Sequence, residues 1–452
     1  MTTLIRHATV VTVDNNFVTH SPGAIVVEDG RIVDLGADAE VSARCRDPDT
    51  IIDATGKVVL PGFVSAHNHL GYAVFRGRAE DIGYDATQRL YLPMSAVISR
   101  DERRVIGSLA AVELVRGGVT SILEMEEDAD LFAPFLEQLG IRAAIGIMVN
   151  DLDLECLTEG KTVFDDAVRE RQLDQATALA RDWHGRGDGR LQGVMAATGL
   201  STSSPGLLRS LRDAAEHLGV RISIHLGFGE RDQVRTVHNA AQFQFARDQG
   251  VLDERVTAVH CYEVNDDELR VLTDSGASLA HCPLMNQFRG VIARIEDFRE
   301  RGMTVGLGID NYFSDYFELL RACISSARIR AGRPDRLLAR EALALGTIDA
   351  ARAIGMAEQV GSLEVGKQAD LQIIDMGRIG LTPVNDPVQT LVYHGHAKDV
   401  ESVMVAGQWI VRNHVVSGVD ETAMIQEAGE AADAAWARFA KRHGAYVAPA
   451  FN

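Results

Sequence analysis

Read for its apolar and polar positions, the chain falls into three textures. Up to residue 60 it carries short β-rich runs, Ala8–Val13, Gly23–Val27 and Ile51–Asp53. Asp29-Gly30 lies between Ile25-Val26-Val27 and Arg31-Ile32-Val33, the pattern of a hairpin turn. This unit is too short to bury a good core alone. After residue 60, amphipathic stretches end in glycine and hand over to apolar strands. Arg103–Arg116 stops at Gly117-Gly118 before Val119–Leu123, Leu207–Leu218 at Gly219 before Val220–His225, and Ile295–Arg301 at Gly302 before Met303–Ile309. Glycine is the expected residue just past a helix end. From Gly361 the chain turns β-rich again, with Ala369–Ile374, Leu391–Tyr393 and Val400–Val411 read as strands, and Glu421–Arg442 as a long Ala-rich helix.

Strands alternating with helices predict parallel βαβ units. Eight apolar strands are expected, near residues 62–66, 119–123, 142–148, 191–197, 220–225, 256–260, 277–281 and 303–309. That number over about 300 residues suits a (β/α)8 TIM barrel. A doubly wound open sheet is the rival, but no Gly-rich phosphate loop follows the first strand. The fold class expected is α/β: a TIM barrel with a small β-sandwich domain built from both chain ends. The expected boundaries are 1–60 and 361–417 for the β domain, 61–360 for the barrel, and 418–452 for the C-terminal helix and tail.

Composition narrows the function. A net charge of −19 argues against nucleic acid and anionic membranes as partners. The five cysteines are odd in number and scattered, as reduced thiols in a cytoplasmic protein are. No signal peptide is read at the N-terminus and no run approaches about 18 apolar residues. A small-molecule substrate and a homo-oligomeric assembly are expected.

Candidate chemistry sits at the strand ends, where barrel enzymes place it. Val58–Leu70 reads as a buried strand running into His67-Asn68-His69; residues two apart share a face, so two imidazoles stand side by side. Imidazole is the commonest zinc ligand and also suits iron. Further strands end in His225, His260, His281 and Asp310. Taken singly each is an ordinary polar strand end; six such groups at five strand ends point to a metal site.

These motifs resemble the amidohydrolase superfamily, in particular its triazine hydrolase and cytosine, guanine and adenosine-analogue deaminase branch. The resemblance rests on Pro61-Gly62-Phe63-Val64-Ser65-Ala66-His67-Asn68-His69, His260-Cys261, His281-Cys282-Pro283 with Asn286, Leu307-Gly308-Ile309-Asp310-Asn311 and the segment Gly361–Leu371. It implies one divalent metal per chain, zinc with iron(II) as the alternative, held by His67, His69, His225 and Asp310. His260 would complete the sphere or hydrogen-bond the water on it. Asp310 would carry that water's proton to the leaving nitrogen, and His260 and His281 would stabilise developing charge. Thr198-Gly199 follow strand four, so a binuclear centre on a carboxylated lysine is not expected.

Two positions depart from the pattern. The deaminases typically carry His-x-x-Glu on strand five, the Glu protonating a ring nitrogen; here Phe228 stands there and Glu230 lies two residues on. The branch often has a second His three after that of strand six; here it is Glu263. An apolar Phe228 tilts the reading towards amide-, urea- or carbamate-type hydrolysis. Ring deamination with Glu230 swinging in on Gly227 and Gly229 is the first alternative, and displacement of halide or thiol the second. A non-catalytic relative would have lost ligands, and none is missing. Arg76, Phe228, Glu263 and Asn286 are candidate substrate contacts, and Tyr72, Tyr84 and Tyr91 candidate pocket walls.

Overall fold

Phe63–Asn68 is buried at every residue and opens a parallel sheet whose strand order follows the chain. The other seven strands are Val119–Glu126, Arg142–Val149, Leu191–Ala197, Arg221–Leu226, Val256–His260, Ser278–His281 and Val305–Leu307. Both faces of such a sheet are covered, which is why its strands read as near-continuous apolar runs. In this computed structural model, which describes residues 1–82, 86–153, 156 and 161–444, the sheet closes on itself. The Asp310 amide donates to the His67 carbonyl at 3.0 Å and the His69 amide to the Asp310 carbonyl at 2.9 Å. All eight barrel strands fall where the pattern puts them.

Among the described residues a second, mixed sheet has nine strands from both chain ends. Leu371–Asp375 runs antiparallel to Lys57–Pro61, from Leu371 opposite Pro61 to Asp375 opposite Lys57. Thr2–Val11 lies beside Lys57–Pro61 and carries the hairpin of Thr19–Glu28 with Arg31–Ala37. One apolar cluster joins Ile5, Val10, Ile25 and Ile32 to Leu371, Ile373 and Met404, so neither end could bury its face without the other.

One expected strand is a helix. Leu391–Tyr393 falls inside the α-helix Pro387–His394. Asp386 accepts from the Gln389 amide at 2.8 Å, Pro387 fills the first helical position, and Val388, Leu391 and Val392 bury one stripe. The expected long C-terminal helix spans Glu421–His443 and docks on the barrel, its Trp436 indole donating to the Val74 carbonyl at 3.0 Å. Cys45, Cys261, Cys282 and Cys323 form no disulfide. No helix among the described residues is long and apolar enough to cross a membrane.

Candidate active site

Three histidines from two strands aim at one point. The His69 and His225 Nε2 atoms stand 3.3 Å apart, and His67 offers a ring nitrogen within 4.8 Å of both. His69 Nδ1 faces the Met125 carbonyl, and His225 Nδ1 faces the Thr198 carbonyl at 2.8 Å. A ring nitrogen facing a carbonyl must carry the proton, so both Nε2 atoms are bare lone pairs. Two lone pairs cannot hydrogen-bond each other; held this close in a dry site, they call for a shared cation. Ligand atoms on a tetrahedral zinc with bonds of about 2.0–2.1 Å lie about 3.3–3.4 Å apart, the spacing found.

Asp310 supplies the negative charge. Its Oδ1 is 3.6 Å from His67 Nε2 and 3.8 Å from His69 Nε2, and its Oδ2 is 3.7 Å from His260 Nε2. Neither ring nitrogen of His67 has a hydrogen-bond partner, nor has Asp310 Oδ2. Burial is the main cause holding His67 and His225 down at about 3, and it takes His69 and His260 well below the usual value, so these rings are neutral, as ligands must be. His260 and Asp310 both adopt left-handed backbone, at φ of 72° and 74°. For non-glycine residues this costs of order 1–3 kcal/mol and is seen where a site over-determines the backbone. The donor set, its spacing and its unmet atoms fit a divalent metal.

The remaining expected residues divide. His281 ends strand seven, buried, with both ring nitrogens unpartnered and a pKa of about 3 through burial. It is not within the convergent ligand groups. Phe228 lies beside the centre, its ring centroid 5.5 Å from that of His225 and 6.1 Å from that of His260. Glu230 comes in behind it. Gly227 and Gly229 have φ of 59° and 97°, and through this double left-handed turn the Glu230 side chain returns to a buried position. Glu230 Oε2 accepts from the Ser201 amide at 2.9 Å and Oε1 is left bare. A Cβ on Gly199 would stand 3.0 Å from the Phe228 ring and 3.1 Å from Glu230 Oε2, so both side chains crowd that glycine. Burial lifts the Glu230 carboxyl to about 7.

Glu263 accepts from the Arg231 amide at 3.2 Å and is tied to that residue. Arg76 pairs with Glu113 at 2.6 Å and donates to the Tyr312 carbonyl. Asn286 is buried with both amide atoms unpartnered. Tyr72 stacks on His69 at 4.8 Å and meets Tyr91 at a tilt, 5.0 Å away, forming an aromatic wall. Tyr84 lies outside the described residues.

Three residues escaped the sequence reading. Glu124 and Glu126 end strand two and accept from the Leu70 and Gly71 amides at 3.2 and 2.8 Å, fixing the turn that follows His69. The strand-end rule, applied to strand two, would have found them. Arg289, at the end of the short helix Pro283–Phe288, gave no such signal. Its positive charge is felt at His67, His225 and His260, where it adds to burial in holding the rings neutral.

Residues 58–410 match the amidohydrolase family. The chain belongs to that family. A curated 5'-deoxyadenosine deaminase of Methanosarcina barkeri is 30% identical over 440 residues, covering 95% of this chain and 97% of the relative. The crystal structure of an adenosine deaminase from Xanthomonas campestris with bound zinc shares the fold at a TM-score of 0.88 and 24% identity, covering 96% of this chain and 98% of the other. So does atrazine chlorohydrolase from Arthrobacter aurescens complexed with zinc, at 0.83 and 22%, covering 95% and 100%. This amidohydrolase is thus a metal-dependent hydrolase acting on carbon–nitrogen bonds, other than peptide bonds, of small molecules.

Proposed function

We propose that this amidohydrolase deaminates an amino-substituted nitrogen heteroaromatic ring, using one zinc ion held by His67, His69, His225 and Asp310 with His260 beside them. Glu230 carries the reading. Water adding to a ring carbon requires the adjacent ring nitrogen to gain a proton, and a buried carboxyl titrating at about 7 keeps that proton available near neutral pH. The deaminase names of the relatives point the same way. A divalent ion would be held by His67, His69, His225 and Asp310, and when bound it would supply the nucleophile by lowering the pKa of water from about 15.7 to about 7.

The chain's own groups do the rest. Glu230 hands its proton to the ring nitrogen. Asp310, through the unpartnered Oδ2, holds the proton given up by the water and passes it to the departing amine. As the carbon–nitrogen bond breaks, ammonia leaves, the ring retains the oxygen as a carbonyl, and the hydroxyl proton returns to Glu230. His260 and His281, neutral and buried, steady the charge that develops on the attacked carbon's substituents.

Phe228 favours a second reading, hydrolysis of an amide, urea or carbamate, because an acyl carbon needs no ring acid and Phe228 makes the wall beside His225 and His260 apolar. A panel of ring amines, ureas, carbamates and amides, scored for the fragment released, separates the two. Ammonia from a ring amine, with turnover lost in Glu230→Gln and zinc retained, is the expected outcome. Release from an acyl substrate with Glu230→Gln unaffected would overturn the ring-amine reading. The wider reading is a cytoplasmic homo-oligomer: Cys45, Cys261, Cys282 and Cys323 form no disulfide, as in a reducing compartment, and sedimentation tests the assembly. The domain boundaries at 60, 360 and 417 belong to it as well.

A further inference from the structure

His67 and His69 reach the centre by different routes. His67 lies inside the strand Phe63–Asn68, where the sheet holds its backbone. His69 lies one residue past the strand, and the short 3-10 helix Leu70–Phe75 begins directly after it. Such a helix opens with amides that find no partner within it, and the His69 side chain does not cap them.

The partners come from strand two, whose last three residues grip three consecutive residues of this turn. Glu124 accepts from the Leu70 amide at 3.2 Å, the Met125 carbonyl faces His69 Nδ1, and Glu126 accepts from the Gly71 amide at 2.8 Å. The Glu126 hold is the shorter of the two carboxylate contacts, and it is braced from behind. A buried carboxylate is costly without a partner. Arg103, on the helix Arg100–Arg116, lies 2.9 Å from Glu126, and both side chains are buried. The same guanidinium donates to Ser95 at 3.3 Å. The pair is pressed hard against the turn. A Cβ on Gly71 would collide with Glu126 Oε1 and stand 2.8 Å from Arg103 Cγ, so only glycine admits the clamp. The turn also sets down Tyr72, whose ring stacks on His69 at 4.8 Å. A shift at Gly71 would therefore carry both the backbone after His69 and the wall against its ring.

We propose that Glu126 and Arg103 are positioning residues for His69: through the Gly71 amide the pair fixes the direction of the imidazole and so sets how tightly the metal is held. The inference rests on the reading of His69 as a metal ligand. Groups standing behind a metal ligand typically govern about 10–100-fold of metal affinity.

The test reads zinc affinity of the full chain, by competition with a chromophoric chelator, and needs no turnover. Glu126→Gln and Arg103→Met should each weaken zinc binding about 10–100-fold. The double variant should bind no more weakly than the weaker single, since both changes act through one contact. Arg103→Lys keeps the charge without the fork and should fall between wild type and Arg103→Met. Arg142→Ala is the control. Its buried pair with Asp370 lies where strand three begins, at the other end of the barrel, so its loss should lower the urea midpoint and leave zinc affinity unchanged. Wild-type zinc affinity in the folded Glu126→Gln and Arg103→Met proteins would overturn the proposal. So would an equal loss in Arg142→Ala, because reduced stability alone would then loosen the metal. If neither of the first two variants folds, Arg103→Lys decides, and wild-type zinc affinity there overturns the proposal. Wild-type protein that takes up no zinc would remove the metal reading and this proposal with it, whereas unchanged affinity in the variants removes the proposal alone.

Discussion

Two buried polar clusters in this molecule are built from similar groups and end differently. Where the barrel meets the β domain, Arg142 donates to both oxygens of Asp370, at 3.0 and 3.2 Å, and to Gln359 at 3.3 Å. Asp370 also accepts from the Ala406 amide at 2.8 Å. Charges cancel, and the two sheets are locked together. At the barrel mouth Asp310 meets three imidazoles at 3.6–3.8 Å, beyond hydrogen-bond reach, and His67, His260, His281 and Asp310 keep unpartnered atoms. Buried polar groups are ordinarily satisfied, so a cluster that is not marks where a ligand completes the structure. Satisfaction, more than burial, separates the structural cluster from the chemical one.

The contrast can be broken first at Asp310. Asp310→Asn should lower kcat/KM by about 10²–10⁴-fold, since it removes both a ligand charge and the proton carrier. In metal-free protein the same change should leave stability nearly unaltered, because Oδ2 has no hydrogen bond to lose. Steady-state kinetics and urea unfolding after chelation check the two halves. Wild-type kcat/KM in this variant would show that Asp310 is no part of the chemistry.

Arg142→Ala should do the reverse. Leaving Asp370 buried without its partner costs about 3–5 kcal/mol, read as a lower urea midpoint, while the kcat of the folded fraction stays unchanged. A drop in kcat with stability intact would mean that the domain contact reaches into the site.

Glu230 stands between the two clusters, half satisfied, and its signature is a pH dependence. The buried carboxyl keeps its proton up to about pH 7, whereas the unfolded chain releases it near 4.5. Between those values the unfolded state binds fewer protons, so stability falls as pH rises through that window and is level above it. The interval is worth at most about 3 kcal/mol. Gln cannot titrate, so Glu230→Gln should gain on the wild type between pH 4.5 and 7. Urea midpoints at pH 5 and pH 8 measure the gain, and a constant difference would show that Glu230 titrates normally.

Most of this was written in the sequence, for a physical reason. A strand buried on both faces is an apolar run, and a lone His or Asp at its end is conspicuous, so His67, His69, His225, His260, His281 and Asp310 could be placed by number. Leu391–Tyr393 shows the limit: three β-prone residues read as strand, but Asp386-Pro387 before them caps a helix and local capping won. Glu230 was legible as a residue but not as a position, because that depended on Gly227 and Gly229 both turning left-handed. Arg289 could not be read at all. Its meaning lies in what surrounds it, Asp310 and Tyr91 among them, and those neighbours come from distant parts of the chain.

Arg76 gives the smallest expected effect and the sharpest use of the same contrast. It lies in the loop after strand one, where a substrate contact was expected. Its guanidinium is already engaged, by Glu113 at 2.6 Å and by the Tyr312 carbonyl at 3.2 Å, so it ties the strand-one loop to the strand-eight loop. Both partners of the ion pair are well exposed, at 46% and 40% of their side-chain surface. An exposed pair of this kind is worth about 0–1 kcal/mol. By the rule of satisfaction, Arg76 belongs with Arg142: a cation with its acceptors already in place has little left to offer a ligand. Arg76→Ala should therefore shift the urea midpoint by no more than that amount and leave KM within about threefold of the wild type, a change under about 1 kcal/mol. A tenfold rise in KM with kcat unchanged would show that Arg76 gives up Glu113 to bind substrate, and the state of its hydrogen bonds in the free protein would then be a poor guide to function at this mouth.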